Sequence, residues 1–191
     1  DVLPVADAGT GGNVCGIGVA NSFVLSGSPT VGTGTWTKFS GPGAETFTNA
    51  NLSTSSVSVD AYGSYVFRWT EVNGTCSSFD DVTVVFWEAP SASVAGANQA
   101  LCNTSVFTLG ATVPVVGAGQ WSYVSGAAVT ITNTNSATTT VTGLTAGSSV
   151  TLRWTVSNGP VCAALTSDVT LTNDVLPVAD AGTGGNVCGI G

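Results

Sequence analysis

Apolar and polar side chains alternate with a period of two along much of this chain, which is the pattern of β-strands that bury one face. The valines at 57 and 59 alternate with polar residues, and Tyr65, Phe67 and Trp69 share one face of the longest predicted strand. No stretch offers an amphipathic helix of useful length. The pattern therefore predicts an all-β protein.

Turn-forming residues such as Gly41-Pro42 and Asn73-Gly74 separate the alternating stretches and mark the ends of strands. Pro4 in the first stretch is compatible only with the edge of a sheet. In the first half the predicted strands are 2–6, 23–27, 32–39, 45–48, 56–60, 65–72 and 81–87. In the second half they are 106–109, 119–124, 129–132, 138–142, 149–156 and 168–172.

Residues 1–18 return without a change as residues 174–191, which gives a period of 173 residues. We interpret the chain as one full unit and the opening of the next in a longer tandem array. Two alternatives are an artificial extension of the chain and a donated strand that completes a neighbouring subunit.

The 173-residue unit is itself double. GTWT at 34–37 corresponds to GQWS at 119–122, and RWT at 68–70 recurs at 153–155. The predicted domains are therefore residues 1–89 and 90–173, with 174–191 as the start of the next identical repeat. Each is close to the size of a small β-sandwich with about seven strands. The tryptophans of the matching motifs are predicted to fill the cores: Trp36, Trp69, Trp121 and Trp154.

The chain has few charges: three basic and eleven acidic residues, no histidine and a net charge of −8. Nucleic acids and anionic membrane surfaces attract clustered lysine or arginine, so neither is expected as a partner. No apolar run approaches the roughly twenty residues that span a bilayer, so no membrane insertion is expected in this segment. Without histidine no serine or cysteine triad of the usual kind can form, and we expect no enzymatic activity and no catalytic residue.

Five cysteines fall at repeat landmarks. Cys15 and Cys76 are 61 residues apart and Cys102 and Cys162 are 60 apart, which predicts one disulfide within each domain and an oxidising, extracytoplasmic location. Cys188 is expected to pair within the next repeat. Buried free thiols are the alternative, and a zinc site is disfavoured because no histidine or close CxxC pair is present.

No cofactor is expected, and calcium is the alternative because oxygen donors lie near loops and junctions. The candidate ligands are Asp7, Asp80 and Asp81. No DxDxDG run is present, and the second domain lacks an equivalent of Asp7, so solvated loop carboxylates are the competing interpretation.

Several motifs together resemble the PKD-like, immunoglobulin-like repeats of giant cell-surface proteins of Bacteroidota. They are ADAG at 6–9, VC at 14–15, GTGTW at 32–36, SGPG at 40–43, YGSYVFRWT at 62–70, NGTC at 73–76 and DDVTV at 80–84. The second domain resembles the family more loosely, and the WDFGD-like strand of true PKD domains is absent. The resemblance implies an immunoglobulin-like sandwich, type IX secretion and a surface-exposed filament or adhesin, with gliding motility as one setting.

The leading functional hypothesis is a structural repeat of an extracellular stalk on the cell surface, whose partners are neighbouring repeats of the same chain. One alternative is a module that binds glycan or another surface polymer by avidity, which exposed aromatic side chains would favour. Another is a self-assembling fibre or sheath subunit, in which chains associate side by side or by strand donation.

Overall fold

The computed structural model describes residues 1–182 and 184, and it confirms an all-β chain. Besides one turn of 3-10 helix at Val19–Asn21, the described residues form fourteen strands. The strands are β1 Gly12–Cys15, β2 Phe23–Val24, β3 Thr33–Ser40, β4 Glu45–Phe47, β5 Ser56–Val59, β6 Gly63–Asn73, β7 Cys76–Trp87, β8 Gln99–Cys102, β9 Val106–Gly110, β10 Ala118–Gly126, β11 Thr130–Ile131, β12 Thr138–Thr142, β13 Ser148–Ser157 and β14 Leu165–Asp174.

The chain divides into two compact units. Unit 1 comprises Asp1–Ser93, Val113–Gly119 and Thr155–Thr166. Unit 2 comprises Val94–Thr112, Gln120–Trp154 and Ser167–Gly191, of which the structure describes residues up to 182 and 184. The loop between β13 and β14 therefore belongs to unit 1, although it comes from the second half of the sequence.

Strands β1 to β7 form an immunoglobulin-like sandwich of two sheets, in the orders β1-β7-β6-β3 and β2-β5-β4. The hairpin between β6 and β7 is tight, because Asn73 pairs with Cys76 and leaves a two-residue loop in which Gly74 has a φ of 61°. A left-handed conformation of this kind suits glycine, as the Asn-Gly pair predicts. Strand β1 runs parallel to β7 at the edge of the larger sheet.

Strands β8 to β14 repeat this plan with the orders β8-β14-β13-β10 and β9-β12-β11. Strand β8 runs parallel to β14, as β1 does to β7. Each strand of the first half thus has a counterpart in the second half with the same sheet position. The duplication seen in the sequence is a duplication of topology.

A pair of tryptophans lies at the centre of each core. The ring centroids of Trp36 and Trp69 are 5.1 Å apart, and those of Trp121 and Trp154 are also 5.1 Å apart. All four side chains are at most 2% exposed. The two rings of each pair lie on neighbouring strands of the larger sheet. Aromatic rings at this distance contribute beyond the area they bury, so each pair stabilises the inner face of that sheet.

The predicted strand at residues 2–6 is wrong. Val2, Leu3 and Val5 are about two-thirds exposed, and the edge of the larger sheet is formed instead by β1, which begins six residues after Ala6. Pro4 has no N–H group to donate to a sheet. Gly11 in contrast allows a close approach, because a Cβ there would lie 1.9 Å from the carbonyl oxygen of Thr83.

Glu71 is a fully buried carboxylate at the inner face of β6. Its Oε2 accepts hydrogen bonds from the N–H and the hydroxyl of Thr30, at 3.0 and 2.8 Å, and its Oε1 accepts one from the indole N–H of Trp69 at 2.9 Å. Burial raises the pKa of this carboxyl, but the hydrogen bonds from Thr30 and Trp69 outweigh it and hold the pKa below its usual value. The charged form therefore stabilises unit 1.

We expect Glu71→Gln to lower the free energy of unfolding at pH 7 by about 1–3 kcal/mol, because an amide NH₂ would face donors that now meet an oxygen. Since the folded-state pKa is lowered, the contribution of Glu71 is present above the unfolded-state pKa of about 4.3. It is lost as the pH falls through the folded-state pKa. The difference between the two proteins should therefore shrink in acid.

Urea denaturation at pH 7 and at pH 2 to 3 measures this difference. Glu88→Gln is the matched control, because Glu88 is exposed and the same change of charge should have little effect there. Equal stability of Glu71→Gln and wild type at pH 7, or a deficit that does not change with pH, would contradict the assignment.

Candidate functional site

A disulfide bond joins Cys15 to Cys162 within unit 1, and it is the chemically distinctive feature of the described chain. The Cα atoms of the two cysteines are 5.0 Å apart, whereas 147 positions separate them in the sequence. On the chain-entropy model, closing a loop of this length stabilises the folded state by about 5 kcal/mol. This contribution is comparable with the whole stability of a small domain.

Strand β1 delivers Cys15 to the bond. Cys15 is the last residue of β1 and lies opposite Trp87, the last residue of β7. The N–H of Gly16 donates to the carbonyl of Trp87 at 2.8 Å, and the indole N–H of Trp87 donates to the Asn13 side chain at 2.8 Å. The parallel ladder thus fixes Cys15 at the carboxyl end of β7.

The loop after β13 delivers Cys162 to the same place. The side-chain amide of Asn158 donates to the carbonyl of Glu88 at 2.8 Å. Gly159 lies against the Trp87 ring so closely that a Cβ would be 2.3 Å from ring carbon Cδ2. The Sγ of Cys162 is 3.5 Å from the carbonyl oxygen of Glu88. The side chain of Asn158 and the close approach of Gly159, which no residue with a Cβ could make, therefore hold the loop against Trp87 and Glu88.

The predicted pairings of Cys15 with Cys76 and of Cys102 with Cys162 must be corrected. Cys76 begins β7 and Cys15 lies opposite its last residue, so about 36 Å of strand separates them. A disulfide needs Cα atoms within about 7 Å. The equal spacings in the sequence reflect two cysteines at opposite ends of the same sandwich.

The second predicted pair fails for the same reason. Cys102 lies opposite Asp174 at the end of β14, whereas Cys162 precedes the start of that strand at Leu165. About 30 Å of strand separates the two ends of β14. Cys76 is half-buried and Cys102 exposed, and both are free thiols. Cys188 lies outside the described residues.

The calcium candidates are held by other partners. Asp81 makes a two-pronged ion pair with Arg68, Asp80 accepts the N–H of Ala8 at 2.9 Å, and Asp7 accepts the N–H of Gly9. Within residues 1–182 and 184, no three acidic, cysteine or histidine side chains form a group that could hold a metal ion. The expectation that no cofactor is bound, with calcium as its alternative, stays a prediction.

Arg68 forms a small exposed cluster on unit 1. Its guanidinium lies 4.2 Å from the centre of the Phe39 ring and 3.8 Å from that of Phe79, while its Nε and one Nη bond Asp81 at 2.8 Å. The hydrogen bonds raise the pKa of Arg68 and lower the pKa of the Asp81 carboxyl. Phe39 and Phe79, 61% and 59% exposed, are thus held in place by a cation between them.

Unit 2 contains the same ion pair in simpler form. Arg153 binds Asp168 at 2.7 and 2.8 Å, and this hydrogen bonding lowers the pKa of the Asp168 carboxyl.

No helix among the described residues has the length and apolar character needed to cross a membrane.

Comparisons with known proteins find similarity of fold only. No protein-family model and no curated protein sequence matches the chain. Extracellular domains 3–5 of Drosophila OTK superpose on 92% of this chain with a TM-score of 0.57 and 10% identity. Immunoglobulin domains 1–4 of Sidekick-1 superpose on 92% with a TM-score of 0.56 and 12% identity. The matches span 60% and 48% of those two chains.

We expect chymotryptic peptide mapping of the unreduced chain to find Cys15 linked to Cys162, because β1 and the loop after β13 bring them together. Chymotrypsin separates these cysteines, since Phe23, Trp69, Trp87 and Trp154 lie between them. Alkylation before reduction should label Cys76 and Cys102 but not the bonded pair.

Denatured, reduced and alkylated chain provides the reference digest, in which no linked peptide occurs. Recovery of a Cys15–Cys76 peptide as the main product from the monomer would contradict the pairing seen here.

Proposed function

We propose that this chain is a structural repeat of a long extracellular filament or adhesin stalk at a cell surface. The observation that carries the proposal is the bond between Cys15 and Cys162, which spans most of the 173-residue repeat. Such a bond changes how the chain responds when it is pulled, and resistance to pulling is what a stalk must provide.

Force that enters before Cys15 and leaves after Cys162 passes through the disulfide instead of through the chain between them. Strands β2 to β13 all lie in that by-passed segment. They can lose their fold locally without lengthening the chain, because the covalent bond holds its two ends together. The 173-residue repeat therefore keeps its length under loads that would extend a sandwich without such a bond.

The chemical character of the chain supports an extracellular setting. A structural disulfide persists in oxidising compartments and is rare in the cytoplasm. The surface carries few charges and only three basic residues, so trypsin has few sites at which to cut. The repetition of residues 1–18 at 174–191 supports a tandem array of such units.

The four tryptophans of the sheet cores are buried and offer no exposed ring on which a sugar can stack, which supports a stalk. The exposed rings of Phe39 and Phe79 make a glycan-binding module the second candidate. Secretion by the type IX system and a part in gliding motility belong to the proposal as well, and they rest on the resemblance of the sequence motifs to Bacteroidota surface repeats.

We expect single-molecule extension of the 191-residue chain by its ends to show that the oxidised chain is shorter than the reduced chain. The 147 positions between the bonded cysteines correspond to about 50 nm of extended chain. Reduction should therefore increase the total contour-length gain on unfolding by about that amount.

Cys15→Ser in oxidising buffer should give the long extension, whereas Cys76→Ser should give the short one. The second variant is the matched control, because it removes a cysteine without removing the bond. A short extension in both variants, or a long one in the oxidised wild type, would remove the basis for the stalk.

A further inference from the structure

Cys102 occupies in unit 2 the position that Cys15 occupies in unit 1. It ends the edge strand β8 and lies opposite Asp174, as Cys15 lies opposite Trp87. The N–H of Asn103 donates to the carbonyl of Asp174 at 2.8 Å, which repeats the bond made by the residue after Cys15. Asn103 has a φ of 45°, so the chain leaves this cysteine through a left-handed residue, as it does in unit 1.

The hairpin that carries Cys76 holds the first two residues of the chain. The side-chain amide of Asn73 donates to the carbonyl of Val2 at 2.8 Å. Gly74 lies against Asp1 so closely that a Cβ there would be 2.1 Å from the Oδ2 atom of Asp1. Asn73 and Gly74 thus hold Asp1 and Val2 beside Cys76.

The same two contacts seat the loop that carries Cys162. Asn158 donates to the carbonyl of Glu88 at 2.8 Å, and Gly159 lies against the side chain of Trp87. Both sets of contacts occur within unit 1. Residues 1 and 2 therefore lie against the β6–β7 hairpin in the same way as residues 87 and 88 lie against the loop between β13 and β14.

The sequence repeat connects these two observations. Asp174 and Val175 are the same residues as Asp1 and Val2, one period later. In a following copy of the unit, they would lie against that copy's Asn-Gly hairpin. Asp174 is at the same time the strand partner of Cys102. Asp174 would then lie close to both Cys102 and the hairpin cysteine of the following copy. Trp87 in the same way lies close to both Cys15 and Cys162.

We propose that Cys102 forms a disulfide with the equivalent of Cys76 in the following copy of the 173-residue unit. Two thiols give one S–S bond and release two protons and two electrons, which a disulfide oxidant takes up as it becomes two thiols. The free thiols of Cys76 and Cys102 are the two halves of this bond, each without its neighbouring copy. The inference rests on the tandem arrangement in the proposed stalk.

The experiment uses a chain in which residues 1–173 are followed by the complete 191-residue sequence, refolded with glutathione disulfide at low concentration and purified as the monomer. Chymotryptic mapping without reduction should give two linked peptides, one joining the Cys15 and Cys162 fragments and one joining the Cys76 and Cys102 fragments. The 191-residue monomer should give only the first.

Two variants of the two-copy chain identify which cysteine is used. Cys76→Ser in the second copy should abolish the Cys76–Cys102 peptide, and the same change in the first copy should leave its yield unchanged. Loss in both, retention in both, or absence of this peptide from the wild-type tandem would overturn the inference. The Cys15–Cys162 peptide serves as the folding control and, with the extension experiment, tests the stalk separately.

Discussion

The parallel pairing of β1 with β7 fixes the position of Cys15, and the chemistry of the unit follows from that position. The ladder places Cys15 beside Trp87 at the carboxyl end of β7, which is the end remote from the β6–β7 hairpin. An antiparallel edge strand in the same place would put its last residue opposite Val84, which is still eight residues, or about 26 Å, from Cys76. The pairing of β1 with the carboxyl end of β7 therefore decides which cysteine can be reached.

The two sandwiches share their topology but differ in what they bury at equivalent points. The counterpart of Glu71 in the second half of the sequence is Val156, 85 residues later. Val156 belongs to unit 1, whereas the other buried residues of its strand, β13, belong to unit 2. Both side chains are completely buried. The carboxylate is compensated by three hydrogen bonds, whereas the valine needs none. The duplicated halves thus differ at this position, because only the first has a buried carboxyl here, with a lowered pKa.

Local patterns in the sequence were sufficient for the all-β class, most strands, the Asn73-Gly74 hairpin and the facing tryptophans, because period-two alternation and turn residues act over a few positions. They were insufficient for β1, which has four residues and pairs with a strand about seventy positions away. The cysteine pairing failed for the same reason. Spacings of 61 and 60 fit bonds within each half, but the repeat also allows Cys15 to pair with Cys162, and only the pairing of β1 with the carboxyl end of β7 distinguishes the two.

The long separation between Cys15 and Cys162 has a consequence for the order of events as the chain is made. Cys76 emerges before Cys162, and loop closure over fewer residues is easier, so a nascent chain would first offer Cys15 the wrong partner. Once β1, β6 and β7 have folded, about 36 Å of strand keeps the thiols of Cys15 and Cys76 apart. Folding of β1, β6 and β7 thus prevents the Cys15–Cys76 bond and leaves Cys15 available for Cys162.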